Sequence, residues 1–384
     1  MKVVVGCLFG LALTVAAPAI AFQASPARPK NVPDCADQSV QILCRLPIAF
    51  TPAQANERLG DGVFAFWFDG DVFNVALKAP APDRRLSGTI QDWLAPISPY
   101  LQGASYRIPE RGISVIDMFV RAMPEAGEHR FQGLDAPVMP AATLPFRNGT
   151  AKVHELTFPD GGTRQIGLYV PETAAPAGGF PYVIMADGDT YEEYALLIDG
   201  LIASGRVEPI VLVGIWPSSS PANAAGVSGR SGEYVLGADE AAFDLHNEFV
   251  TSIVLPFART QAPLSSDPRG AAVFGYSNGA DWALAFAVSH PGVARNVIAL
   301  SASGIGEIQF DRSHLLRLFM QAGMYERPFL GQSLLICSNA VRAGSDCTMS
   351  TPYLGHTGSA WRYGASNALE RIFASSVGTP TAQP

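Results

Sequence analysis

Ala271-Ala-Val-Phe-Gly-Tyr-Ser-Asn-Gly-Ala-Asp-Trp-Ala-Leu-Ala-Phe-Ala-Val-Ser-His-Pro291 reads as an apolar strand, a tight turn and a helix in direct succession. Ala271 to Phe274 is strand-like, and small apolar residues follow Gly279 at helical spacing. Between them, Gly275-Tyr276-Ser277-Asn278-Gly279 has the Gly-x-Ser-x-Gly form of a sharp strand-to-helix turn. The serine at its tip takes a strained backbone, and a glycine on either side lets strand and helix approach with no Cβ between them. Ser277 Oγ is then expected to project from the C-terminal edge of a sheet. The new helix would aim its first amides at negative charge developing there. In a chain with 37 glycines the five-letter pattern alone is weak. The strand before it and the helix after it separate it from an ordinary turn.

The chain has 384 residues, 48% hydrophobic and 16% charged, enough for one large domain and a smaller one. A net charge of −8 gives no basic footprint for nucleic acid and disfavours a strongly anionic ligand unless a local patch overrides it. Lys2, the apolar run Val3 to Ala17 and Ala19-Ile20-Ala21 predict a signal peptide over 1–21, cut before Phe22, and a periplasmic or secreted protein. The run is too short and too rich in Ala and Gly for a stable membrane span. Cys7 lies too near the start for lipidation. The other four cysteines predict two disulfides, with three possible connectivities. Proximity favours Cys35–Cys44 and Cys337–Cys347. No Cys or His stands at zinc-ligand spacing, so neither metal nor cofactor is expected.

Residues 22–34 read as a disordered leader. Over 35–139, short strand candidates (63–68, 72–77, 104–108 and 114–120) punctuated by turn residues predict a small β-sandwich, in which His129 stands alone. A linker follows at 140–150. From 151 to 376 strands and helices alternate. A hairpin brackets Pro159-Asp-Gly-Gly162, strands follow at 182–186, 210–215, 271–274 and 296–301, and helices at 191–204, 240–257 and 366–374. Residues 216–237 read as a long irregular segment, and 377–384 as a disordered tail. The fold class is α/β, with a largely parallel sheet covered on both faces.

A serine hydroxyl needs a base, and the base an orienting acid. On such a sheet the acid and then the histidine follow the serine on loops after later strands. His314 begins a strand pattern, at the wrong end of the sheet. His356, in Tyr353-Leu-Gly-His-Thr-Gly-Ser-Ala-Trp361, sits in a glycine-flanked loop before the last helix and is the expected base. Asp346 is a candidate acid ten residues upstream, but it leaves no helix between the last two strands. Taking 315–323 as the strand puts Met324-Tyr-Glu-Arg327 in the loop at its active end, Pro328 at the first helical position, and Leu330, Leu334, Cys337 and Val341 on one helical face. Glu326 then occupies the acid loop, while Asp346 falls at the opposite edge and Glu307 precedes the strand. Backbone amides of Asn278 and of Gly188 or Asp189 are expected to form an oxyanion hole.

These segments resemble the esterase group of α/β-hydrolases that includes enterochelin (catecholate siderophore) esterases and esterase D-like enzymes. The likeness covers about 151–375. It rests on Ala186-Asp-Gly-Asp189, Val207 to Ile215, Arg230-Ser-Gly-Glu233-Tyr234, Gly275 to Gly279, Ala322-Gly-Met-Tyr-Glu326 and Gly355-His356 with Trp361. The resemblance implies Ser277 as nucleophile, His356 as base and Glu326 as acid, with Arg230, Tyr276 and Trp361 near the substrate. A salt bridge from Arg230 to Glu233 is the purely structural alternative. The β-rich segment before residue 140 is similar to the immunoglobulin-like domain preceding the hydrolase in siderophore esterases. Ala280 and Asp281 replace the family's usual second glycine and small residue after the turn and are expected to border the pocket. The implied activity is an exported serine esterase acting on a small-molecule ester, with siderophore or polyphenolic esters leading. An acyltransferase on the same fold and a non-catalytic binding protein are the rivals.

Overall fold

The computed structural model describes residues 32–36, 42–80, 83–140, 146–304 and 308–375. The expected signal peptide, most of the leader, Glu307 and the C-terminal tail lie outside the described residues. A sheet of eight strands dominates. Its spatial order is Gly149–Thr157, Thr163–Pro171, Val211–Ile215, Tyr182–Met185, Ala271–Tyr276, Asn296–Leu300, Arg317–Gln321 and Asp346–Ser350. The last six pair in parallel. The first two form an antiparallel hairpin that also joins Val211–Ile215 antiparallel, so the sheet is mixed. The hairpin turn reverses the chain directly, whereas each parallel pairing needs a crossover.

Three neighbouring strands in the middle, Val211–Ile215, Tyr182–Met185 and Ala271–Tyr276, are buried along their whole length, as is Asn296–Leu300. That is why they read as apolar runs rather than alternating ones. Trp282, Phe249 and Tyr234 fill the core on one face, and Tyr194, Phe274 and Leu369 on the other. The three strands ending at Met185, Tyr276 and Leu300 lie side by side. Each is followed within two residues by a non-glycine residue of positive φ: Asp187 (54°), Ser277 (53°) and Ser301 (55°).

Ahead of this sheet lie two smaller, fully antiparallel sheets. One has the path Cys44–Leu46, Leu101–Arg107, Val72–Lys78, Phe64–Asp69, with Ala95–Ser98 also on Leu101–Arg107. The other runs Asp92–Trp93, Arg85–Gly88, Val115–Val120, Glu128–Gln132. Between them Phe73, Leu86, Tyr106 and Ile116 are completely buried. Sequence reading missed the short strands at 85–98, Glu128–Gln132 and the helix Pro52–Leu59, because they are too short for a decisive period. His129 stacks on Phe64 at 4.5 Å.

Both disulfides pair as proximity suggested, Cys35 with Cys44 and Cys337 with Cys347. Other expectations need correction. The helix Arg327–Arg342 buries Ser333, Ile336, Cys337 and Ala340, while Leu334 and Val341 are 48% and 54% exposed. The disulfide turns Cys337 toward the last strand, and small residues line the tight contact. The helix read over 240–257 is a helix Glu240–Phe249, a wider π-helical segment Val250–Val254, and a helix Leu255–Gln261 starting beside Pro256. The missing N–H of Pro256 favours that interruption. The irregular stretch 216–237 contains a short helix, Gly229–Tyr234. The last helix starts at Gly358, capped by the Thr357 hydroxyl, eight residues before the sequence expectation.

Candidate active site

The turn at Ser277 forms because Gly275 and Gly279 are both needed. A Cβ on Gly275 would sit 2.0 Å from Gly279 O, and one on Gly279 would sit 2.7 Å from an Asp187 carboxylate oxygen. Ser277 has φ 53° and ψ −130°, outside the regions that L-residues ordinarily occupy, and the buried strand and helix on either side hold it there. As the first residue of the helix Asn278–Ser289, Asn278 has an amide with no partner inside the helix.

Ser277, His356 and Glu326 converge from three loops. His356 Nε2 is 3.2 Å from Ser277 Oγ, and His356 Nδ1 is 2.7 Å from Glu326 Oε2. The other carboxylate oxygen, Oε1, accepts from Gly323 N at 2.6 Å and from Ser301 Oγ at 2.8 Å. Glu326 is buried and held on both oxygens, an arrangement that keeps the carboxylate pointed at the imidazole. His356 lies face to face with Phe329 at 4.2 Å and edge-on to Trp361 at 4.9 Å, so the ring is clamped on two sides. Such a chain of hydrogen bonds can draw a proton from a hydroxyl and stabilise the imidazolium that forms.

Asp346 starts the last strand at the far edge, exposed and 3.9 Å from Arg317. His314 sits in an exposed turn with Asp311. Neither approaches Ser277's partners. Ser301, which sequence reasoning did not pick out, accepts from Trp361 Nε1 at 3.0 Å while donating to Glu326. Only its place at the end of a strand next to the serine turn could have signalled it.

Arg230 does not pair with Glu233. Its guanidinium grips Asp187 through both oxygens, at 2.5 and 2.8 Å, while Glu233 is held by Arg164 at 2.7 and 2.9 Å and by Ser218 N. Residues 230 and 233 lie one turn apart, and the helix Gly229–Tyr234 sends them to different neighbours. Burial pushes the Asp187 carboxyl above the usual range, and Arg230 pulls it part of the way back. Gly188 and Asp189 follow in a short 3₁₀ turn, with Gly188 buried against the backbone of Ile215. Tyr276 is nearly buried, stacked on Trp361 at 4.2 Å, with its hydroxyl 3.0 Å from Thr190 Oγ1. Asp281, expected to border the pocket, is buried. It binds Ser303 Oγ and, at 3.0 Å, Gly304 N. Burial raises its carboxyl to about 6 against those hydrogen bonds. Ala280 is fully buried.

A cleft of about 740 Å³ opens beside His356 and Trp361, between the large sheet and the N-terminal strands; Arg85, Phe119, Arg121 and Arg130 form its far wall. Among the described residues, no group of three or more His, Cys, Asp or Glu side chains could hold a metal ion, and no helix is long and apolar enough to cross a membrane.

No curated protein sequence matches the chain significantly. Solved structures similar to the chain over most of its length include the following two. One is an enterobactin esterase from Shigella flexneri, determined with 2,3-dihydroxy-N-benzoyl-glycine (14% identity, 84% of this chain and 98% of that one, TM-score 0.61). The other is the ferric enterobactin esterase of Salmonella typhimurium (15% identity, 80% of this chain and 96% of that one, TM-score 0.61). At such identity the likeness establishes the fold. Residues 161–334, which contain the serine turn and the loop of Glu326, match the model of the family described as "Putative esterase".

Proposed function

We propose that the protein is a serine carboxylic-ester hydrolase working in two steps. Ser277 Oγ attacks the ester carbonyl carbon while His356 Nε2 takes its proton. Glu326 fixes the imidazole and offsets its charge. The tetrahedral oxyanion is met by the amide of Asn278 and by one from Gly188 or Asp189. The intermediate collapses as His356 returns the proton to the departing alcohol oxygen, leaving Ser277 acylated. Water, deprotonated by His356, then releases the acid and restores the serine. The observation that carries this reading is the unbroken chain from Ser277 Oγ through both imidazole nitrogens to a buried, doubly held carboxylate.

Trp361 forms the near wall of the substrate cleft, and Arg230, held by Asp187, is assigned to the substrate side of the oxyanion site. The cleft suits a bulky ester, and a siderophore or polyphenolic ester is the leading substrate. The antiparallel N-terminal region serves as an immunoglobulin-like module bounding that cleft, and the two disulfides fit a periplasmic or secreted protein released by cleavage before Phe22. An intact-mass measurement of the folded protein with a fluorophosphonate tests the chemistry. One covalent adduct on Ser277 is expected, and its absence overturns the hydrolase reading. Turnover of simple acyl esters against catecholate and feruloyl esters ranks the substrates.

A further inference from the structure

The loop that carries His356 is built against the N-terminal strands as much as against its own sheet. Tyr353 O accepts from Val115 N at 3.1 Å, and Leu354 packs with Val115 and Ala360. A Cβ on Gly355 would lie 2.5 Å from Thr89 Cα, so the backbone next to His356 presses directly on the turn after Arg85–Gly88. Thr89 and Asp117 are locked to each other by Thr89 N to Asp117 O at 2.8 Å and Asp117 N to Thr89 Oγ1 at 3.0 Å.

Asp117 completes this junction. Its Oδ1 accepts from Arg130 Nε at 2.6 Å, while Oδ2 accepts from Thr357 Oγ1 at 3.1 Å and from Ser359 Oγ. Those two residues bracket the start of the helix Gly358–Ile372, whose first turn carries no acidic side chain of its own. A carboxylate is favoured at that place by the unpaired amides and the helix dipole. Here it is supplied from a strand some 240 positions earlier in the chain. Thr357 is covalently next to His356, so an error in its placement passes directly to the imidazole.

We propose that Asp117, on the strand Val115–Val120, is a positioning residue for His356, making the N-terminal sheet part of the hydrolytic machinery. This rests on the role given above to Ser277, His356 and Glu326. Asp117 does not touch the reacting atoms; it fixes the first turn of the last helix, so that Nε2 stays within reach of Ser277 Oγ while Nδ1 stays on Glu326.

The test uses the full-length protein, p-nitrophenyl acetate as a small substrate that does not fill the cleft, and a fluorophosphonate as a probe of Ser277. Asp117→Asn removes the charge and one accepting oxygen. A misplacement of the size that shifts a catalytic group by about 1 Å lowers the rate about 100-fold. We therefore expect kcat and labelling rate to fall together by about 10- to 100-fold with KM within about twofold. Ser359→Ala removes one contact from the opposite side and leaves the N-terminal sheet untouched. It is expected to lower kcat less, and in the double variant the losses should not multiply, because both act on one junction. Unchanged kcat and labelling in folded Asp117→Asn overturn the proposal, as does a loss confined to KM or to the unfolding midpoint. If Asp117→Asn does not fold, Ser359→Ala decides, and an unchanged kcat there overturns the proposal. Failure of the fluorophosphonate to label Ser277 in the wild-type protein would instead overturn the hydrolase reading itself.

Discussion

At the scale of single residues, Ser277 is placed by its backbone, and Glu326 by two donors that leave one oxygen for His356. On the proposed mechanism, Ser277→Ala should lower turnover by at least about 10⁴-fold in a folded protein, measured as kcat. Glu326→Gln should lower kcat strongly and Asp346→Asn leave it unchanged; the reverse pattern would overturn the assignment, and kcat measured for each variant checks it. Asp281 gives a pH prediction. Its folded carboxyl lies at about 6, above the unfolded value near 3.8, so the native state favours the protonated form. Its contribution is fully present below about pH 4 and is lost as pH rises through about 6. Asp281→Asn, which stays neutral, should gain stability over the wild type across that window, by at most about 3 kcal/mol, measured as the difference in urea midpoints between pH 4 and 7. The three residues of the hydrogen-bonded chain were legible because order and loop position constrain them. Ser301 and the Asp187–Arg230 pair were not, since their partners come from crossovers that carry no local pattern.

At the scale of elements, the strand-turn-helix at 271–289 was legible because its strand is buried on both faces and its turn needs two glycines. The helix Arg327–Arg342 was found but its buried face was misjudged. The Cys337–Cys347 crosslink and small residues at 333 and 340 decide which side meets the sheet, and hydrophobic spacing alone cannot see that. Closing a loop of this length with a disulfide is worth about 3 kcal/mol through the unfolded chain. Replacing both cysteines with alanine should therefore lower the unfolding free energy by about 2–4 kcal/mol in a denaturant titration, with kcat of the folded protein little changed. Gly355 is the element-level counterpart. Gly355→Ala must push the histidine loop off Thr89, so activity should fall more steeply than the melting temperature.

At the scale of the whole molecule, the net charge of −8 did not anticipate a cleft whose far wall holds three arginines. Strand alternation explains it. Arg85, Phe119, Arg121 and Arg130 project from one face of the second N-terminal sheet, while Leu86, Ile116, Met118 and Val120 fill the core behind. Composition averages over the surface and cannot report one face. Phe119, 41% exposed, is the largest apolar group on that wall. Phe119→Ala should leave kcat/KM for p-nitrophenyl acetate unchanged and raise KM several-fold for a bulky aromatic ester, by loss of about 1 kcal/mol of contact. Equal effects on both substrates would remove the N-terminal wall from substrate binding. The β-rich character of this region was legible in short strand candidates punctuated by turn residues. Its attachment to the histidine loop was not, because that contact joins segments far apart in sequence.

The positive φ shared by Asp187, Ser277 and Ser301 has a consequence for selection. Each such residue costs about 1–3 kcal/mol that glycine would not, and all three stand at the same edge of adjacent strands. A library screened only for heat tolerance should therefore accumulate glycine at 187, 277 and 301, and lose turnover as it does so. A screen for turnover in warm conditions should leave those positions alone and gather its gains on the opposite edge, among residues such as Asp346 and His314.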